Sequence, residues 1–364
     1  IALLIVAGGI GIAGRGQISS GELADIRTVI ESAKSTRATT AASMDFAQGT
    51  MHANDFQSAI TSTRRAVADY DQLAASASLT RFTSDSPFAQ FVFTPRATLL
   101  GTVDRLNNAA NTMQTQTAAL IDGMETSFAN DFRTDGGHWM VQVDDPAAIN
   151  ELVSRYGKQR SYQTLQEHLD DLKSLYNLEQ RVRQQVADSI AAVHAGETNA
   201  AQIAVPTEAG AMDAAGWLGT AQSVASTLGV QVKQTSVYGC PGADDNGDDN
   251  ADMVIGFFCG GSQAGRNEVN MLTTHPEWPA VERSPLLVDY TKHELAHRSI
   301  MIVCGTTEPE IAANRTEAVT NSYAVQFLGA SRERIAGSQQ GLAAYAMDAQ
   351  SDQIAQSIHN GTCA

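Results

Sequence analysis

The feature that most restricts this chain is His293-Glu294-Leu295-Ala296-His297, followed twenty positions after His297 by Glu317. On an α-helix, residues four apart sit one turn apart on one face, so both imidazoles can reach a single metal ion. Glu294 is next to that face, placed to take a proton from a water held there. Leu286, Leu287, Val288, Ile300, Met301, Ile302 and Val303 surround the motif with apolar side chains, which predicts a buried helix. Cys304-Gly305 supplies its stop, glycine being suited to the left-handed turn that ends many helices. After Pro309 a second helical pattern starts near Thr316, so the spacing predicts two packed helices with Glu317 returned to the imidazole pair. That is a His2Glu ligand set with one position open for water. Glu308 and Glu310 are rival third ligands that lie too near the turn to be preferred.

HELAH followed by TEAVTNSYAVQFLG resembles the gluzincin metallopeptidases, the class of thermolysin and of a family of zinc aminopeptidases, over residues 290 to 330. The resemblance implies Zn2+ held by His293, His297 and Glu317, with Glu294 as general base in the hydrolysis of a peptide or protein substrate. One position departs from the pattern. Thermolysin-like enzymes have an aspartate four residues after the ligand glutamate, hydrogen-bonded to a ligand histidine, where this chain has Asn321. An amide carbonyl also accepts that N–H, but it is neutral and raises the ligand's basicity less. The resemblance further implies a donor for the developing oxyanion, for which Tyr323, Tyr345 and His359 are the candidates. His275, beside Pro276, reads as a loop residue. A different reading also accommodates Asn321: a weak or inactive zincin-like scaffold, serving a membrane protein complex through its helical half.

Upstream, apolar residues recur at helical spacing from Glu22 to Leu73, which predicts a long helix or helical hairpin. A loop rich in Ser and Thr follows over 76–95, with Phe88, Phe91 and Phe93 docking part of it, and then a second helical stretch over 96–129. Asp131 to Pro146, with Gly136-Gly137 and Asp144-Asp145-Pro146, is expected to break the pattern. Leu165, Leu169, Leu172, Tyr176, Val182, Val186, Ile190 and Val193 define one face of a further long helix. Gly196 to Thr207 reads as a linker, and the second domain is expected to begin near 205. There Val230–Tyr238 and Met253–Cys259 read as two strands of a hairpin joined by the acidic turn at 244–250. That turn does not match a calcium loop, since aligning its Gly247 with an EF-hand glycine puts Gly242 and Met253 at ligand positions.

Ile1 to Gly14 is an unbroken apolar run closed by Arg15. At 1.5 Å per residue it spans about 21 Å of a hydrocarbon core ~30 Å thick, so we expect a membrane anchor completed by residues upstream of Ile1. The literal GxGxxG within it, Gly9 to Gly14, is not followed by the second strand and acidic residue of a dinucleotide-binding unit. A pilin-like filament subunit would carry a glutamate near its start, which IALLIVAG lacks. With 24 basic and 40 acidic residues the formal charge is −16, which repels phosphate backbones and excludes nucleic acid as the expected partner. Four cysteines without C-x-x-C spacing read as two disulfides, Cys240 with Cys259 and Cys304 with Cys363, which suit an extracytoplasmic location. The expected fold is thus mainly α: a membrane-anchor helix over 1–16, a helical bundle or stalk over 17–200, and an α+β zincin-like domain with a small β-hairpin over 205–364.

Overall fold

A computed structural model describes residues 18–76, 96–158, 160–240, 254–260 and 265–364. The expected anchor over 1–16, the Ser/Thr-rich loop over 77–95 and the acidic turn at 244–250 lie outside the described residues. Among the described residues no helix is long and apolar enough to cross a membrane. The protein is mainly helical, with one small sheet.

The first helix, α1 (Ser20–Gly49), opens on a capping box in which the Ser19 hydroxyl accepts the Glu22 N–H and the Glu22 carboxylate accepts the Ser19 N–H. It pairs with α2 (Gln57–Ser76) as a helical hairpin. Then come α3 (Arg96–Gln142), α4 (Ala147–Tyr156) and α5 (Leu165–Ala201). Residues up to Asn130, together with 158–176, form one compact unit. Its core is built at helical spacing from Leu23, Ile26, Ile30, Tyr70, Val103 and Leu106, and from Phe56, Ile60, Ile121, Phe128, Leu169 and Leu172. A buried Thr40–Thr117 hydroxyl pair at 2.8 Å satisfies two polar groups inside it.

Residues 131–157 and 177–364 form the second unit. Two expected breaks in helix begin later than the sequence suggests, after Gln142 and after Ala201. Through 131–142 helix α3 continues across Gly136-Gly137, because packing outweighs the ~1 kcal/mol propensity cost of each glycine. The Phe132 ring covers Gly136 so closely that a Cβ there would come within 2.7 Å of it, and Phe132 itself stacks on Tyr156 at 4.6 Å. Likewise Gly196 is no linker residue: it lies within α5, where a Cβ would stand 2.6 Å from the Thr227 carbonyl at the end of α6 (Ala214–Thr227).

The sheet contains β1 (Gln231–Thr235), β2 (Gly256–Phe258) and β3 (Glu268–Leu272) in the order β1-β3-β2. Strand β3 pairs parallel with β1 and antiparallel with β2, so the two strands expected as hairpin partners are the opposite edges of the sheet. The Cys240–Cys259 disulfide joins the segments that follow those two edge strands.

After the short α7 (Trp278–Val281) comes α8 (Leu286–Cys304), buried on nearly every side, its charged and polar residues included. Several of its buried polar groups have dedicated partners. Asp289 accepts from Arg334 and from the Ser331 N–H, and Lys292 donates to the Gly329 carbonyl at 2.9 Å. Gln142 donates to the carbonyls of Ile302 and Val303, which the helix end leaves without intrahelical partners. Gly305 then ends the helix at φ 72°, and the chain continues into α9 (Thr316–Leu328), α10 (Arg332–Ser338) and α11 (Ala349–His359). The Cys304–Cys363 disulfide ties the end of α8 to the segment after α11.

Candidate metal centre

Helix α8 carries His293 and His297 one turn apart, and α9 returns Glu317 to them. Glu317 Oε2 lies 3.1 Å from His293 Nε2 and 3.4 Å from His297 Nε2. The two imidazole rings stand nearly perpendicular, at 89°, with centroids 4.8 Å apart, so their in-plane lone pairs can meet at one point. The three ligand atoms lie within 4.8 Å of one another.

The far side of each ring is occupied. His293 Nδ1 is 2.7 Å from Asn321 Oδ1, and the Asn321 amide is oriented by its own donations to Gln339 Oε1 and the Tyr345 carbonyl. With its N–H groups so engaged, Asn321 presents oxygen to the imidazole, and His293 carries its proton on Nδ1. His297 Nδ1 lies 3.4 Å from the Thr320 hydroxyl, which spends its hydrogen on the Thr316 carbonyl and so accepts from the ring. When both rings are neutral, each Nε2 is thereby a lone-pair donor facing Glu317. Glu317 Oε2 is itself buried without a hydrogen bond. A buried carboxylate oxygen against two lone pairs is unfavourable unless a cation or a proton stands among them, and the N2O donor set fits zinc.

From the protein groups alone, burial pushes the His293 imidazole down, but the Glu317 and Glu294 carboxylates raise it to about 9. Burial opposes ionisation of Glu317 too, yet its two histidines hold it well below the ordinary carboxylate range. Glu294 is moved the other way: burial raises it, against His293 and His297 and a backbone N–H from Phe258. A carboxylate raised by burial is suited to general base work near neutrality. Gly256 of β2 makes its space, since a Cβ there would stand 3.2 Å from both Cγ and Oε1 of Glu294.

His293 and Glu294 open onto a cleft of about 250 Å³ whose other walls include Gly256, His275, Tyr290 and Tyr345. His275, read from the sequence as a loop residue, is a buried wall of this cleft. Its Nδ1 accepts the Glu277 N–H at 3.2 Å, which puts the ring proton of the neutral imidazole on Nε2. Tyr345 is kept protonated by burial and by Glu317 and Glu294, which raise its phenol above the usual range. Both are donors beside the imidazole–carboxylate cluster. A histidine next to Pro276 carries no periodic signal, which is why His275 was not readable.

Tyr323 and His359, the other two candidate oxyanion donors, are not walls of the cleft. Tyr323 is wholly buried and donates to Glu197 Oε1 at 2.8 Å, and His359 Nε2 lies 3.2 Å from Glu197 Oε2. Glu308 and Glu310 are exposed and outside the cluster. Comparison with known proteins returns no match for this chain, whether to a protein-family model, a curated protein or a solved structure.

Proposed function

We propose that this chain is a gluzincin-like, zinc-dependent peptidase acting outside the cytoplasm, with the apolar run at its N-terminus as membrane attachment. The observation that carries the reading is Glu317 Oε2, buried without a hydrogen bond and facing both HExxH nitrogens. His293, His297 and Glu317 would hold the ion, which when bound lowers the pKa of water and polarises a carbonyl.

The remaining chemistry belongs to the protein's own side chains. Glu294 takes a proton at its carboxylate and passes it to the leaving amine, its raised affinity for the proton coming from burial. The His275 Nε2–H and the Tyr345 hydroxyl supply donors for the carbonyl oxygen as it gains charge. Asn321 and Thr320 hold the two imidazoles in the tautomer the ligand role requires. Two disulfides support a location where thiols are oxidised.

The test pairs zinc analysis with a peptidase assay on wild type, Glu294→Gln and His297→Ala. The reading expects Glu294→Gln to keep its zinc and lose at least about 100-fold in turnover, and His297→Ala to lose zinc from this site. Asn321, a neutral partner for the ligand histidine, favours a second reading, a zincin-like scaffold subunit. Zinc bound by wild type without hydrolysis of any peptide in a broad library would select that alternative. Hydrolysis unaffected by Glu294→Gln would reject the peptidase reading.

A further inference from the structure

We infer that the second unit holds another metal site, formed by His194 and Glu197 of α5 with His359 at the end of α11. The ligand atoms of the three residues lie within 4.8 Å of one another. Glu197 is 1% exposed, and among the described residues no lysine or arginine forms an ion pair with it. Its Oε1 accepts from Tyr323, while Oε2 is buried without a hydrogen bond and lies 3.2 Å from His359 Nε2. His194 Nε2 is also buried without a partner. Two orphaned polar atoms in one buried cluster need an explanation, and a cation shared by them supplies one.

The chemistry of the donors points to a first-row transition metal. Two imidazole nitrogens and one carboxylate oxygen suit zinc and its neighbours, whereas calcium and magnesium take oxygen. The His359–Glu197 spacing already matches the ~3.3 Å between two ligand atoms of a tetrahedral zinc. Tyr323 fixes the carboxylate from behind, as outer partners of ligands do.

One movement is required. His359 is sandwiched between Phe327 at 3.9 Å and His194 at 4.1 Å, with its ring 21° from that of His194, so the two lone pairs do not yet converge. His359 is the last residue of α11, with its side chain 23% exposed, and a change of its side-chain rotamer is the movement required. A third cluster, Asp122, Glu125 and His168, lacks the same case, because Arg160 pairs with Glu125 and supplies the positive charge. A metal at the first of these places would pin α11 to α5, four residues before Cys363 fastens the same segment to α8.

Zinc titrated into the chelator-stripped full chain tests this. We expect two ions per chain, falling to one in His359→Ala and in His194→Ala, with the ion at His293 and His297 retained. Glu197→Gln, which keeps the shape and an acceptor for Tyr323, should weaken the second ion at least 10-fold, and circular dichroism checks that each variant is folded. Because the HExxH site is emptied separately by His297→Ala, the two readings fail separately. One ion lost with His359→Ala but not with His297→Ala supports this site and rejects the other. A single ion lost only with His297→Ala, or two ions indifferent to His194→Ala and His359→Ala, overturns the inference.

Discussion

His293 donates its Nδ1–H to Asn321 Oδ1 across 2.7 Å, and the Asn321 amide nitrogen in turn donates to Gln339 Oε1 and to the Tyr345 carbonyl. Asparagine is therefore the residue that satisfies this position on both sides. An aspartate there would strengthen the imidazole's partner, but it would set a carboxylate oxygen against two acceptors. The Gln339 amide can turn over and offer its nitrogen, whereas the Tyr345 carbonyl belongs to the backbone and cannot. Asn321→Asp is expected to lower the stability of the zinc-stripped chain by about 1–3 kcal/mol, read as a fall in Tm. An unchanged or raised Tm would show that the amide donations contribute nothing.

Zinc binding should also release a proton, because His293 must give one up. Its pKa is held at about 9, above the ordinary value for an unfolded imidazole. A raised imidazole stabilises the folded, zinc-stripped chain below the unfolded pKa, and that contribution is lost as pH rises through about 9. Metal binding runs in the opposite sense, since Nε2 binds only when the ring is neutral. Glu317, held below the usual range, stays ionised throughout this window. Apparent zinc affinity should therefore rise about tenfold per pH unit from 6.5 toward 9, measured by competition with a chelator of known protonation. A flat profile would mean that His293 is already neutral at pH 7.

His275 should affect turnover more than substrate binding. A donor aimed at an oxygen that gains charge only during the reaction acts on kcat, and removing one costs about 100–1,000-fold. His275→Ala is expected to lower kcat in that range with KM changed little, and with zinc content unaltered. His275→Gln, which can still donate from its amide, should recover part of the loss. Equal falls in kcat and in zinc content would instead mark His275 as support for the metal site.

The parts of this site that could be read from the sequence are those fixed by local geometry. His293 and His297 are neighbours because a helix has 3.6 residues per turn, and Glu317 can return because twenty residues suffice for a stop, a turn and a second helix. His275 owes its place to the turn after β3, and strand β3 pairs with partners on both sides that no local pattern announces. Tyr323 meets Glu197 across 126 residues of sequence, so nothing near it shows that its hydroxyl is already engaged. Gly136 and Gly137 look like a break until Phe132 is seen lying over the helix, where tertiary packing overrides propensity.

The two disulfides should differ in what they contribute. Cys304–Cys363 closes a segment of sequence separation 59 that contains α9, α10 and α11, and so Glu317, while Cys240–Cys259 closes one of separation 19. If cross-links act by restricting the unfolded chain, the longer loop stabilises by about 4 kcal/mol and the shorter by about 3. Replacing both cysteines of the longer bridge by alanine should thus lower stability by about 1 kcal/mol more than the same change in the shorter. It should also weaken zinc binding, because the bridge closes the loop that contains Glu317 back onto the end of the helix carrying His293. Denaturant unfolding of the two double variants, each stripped of zinc, gives the comparison. A larger loss from the shorter bridge would mean that folded-state contacts around Cys240 and Cys259, rather than chain entropy, set the order.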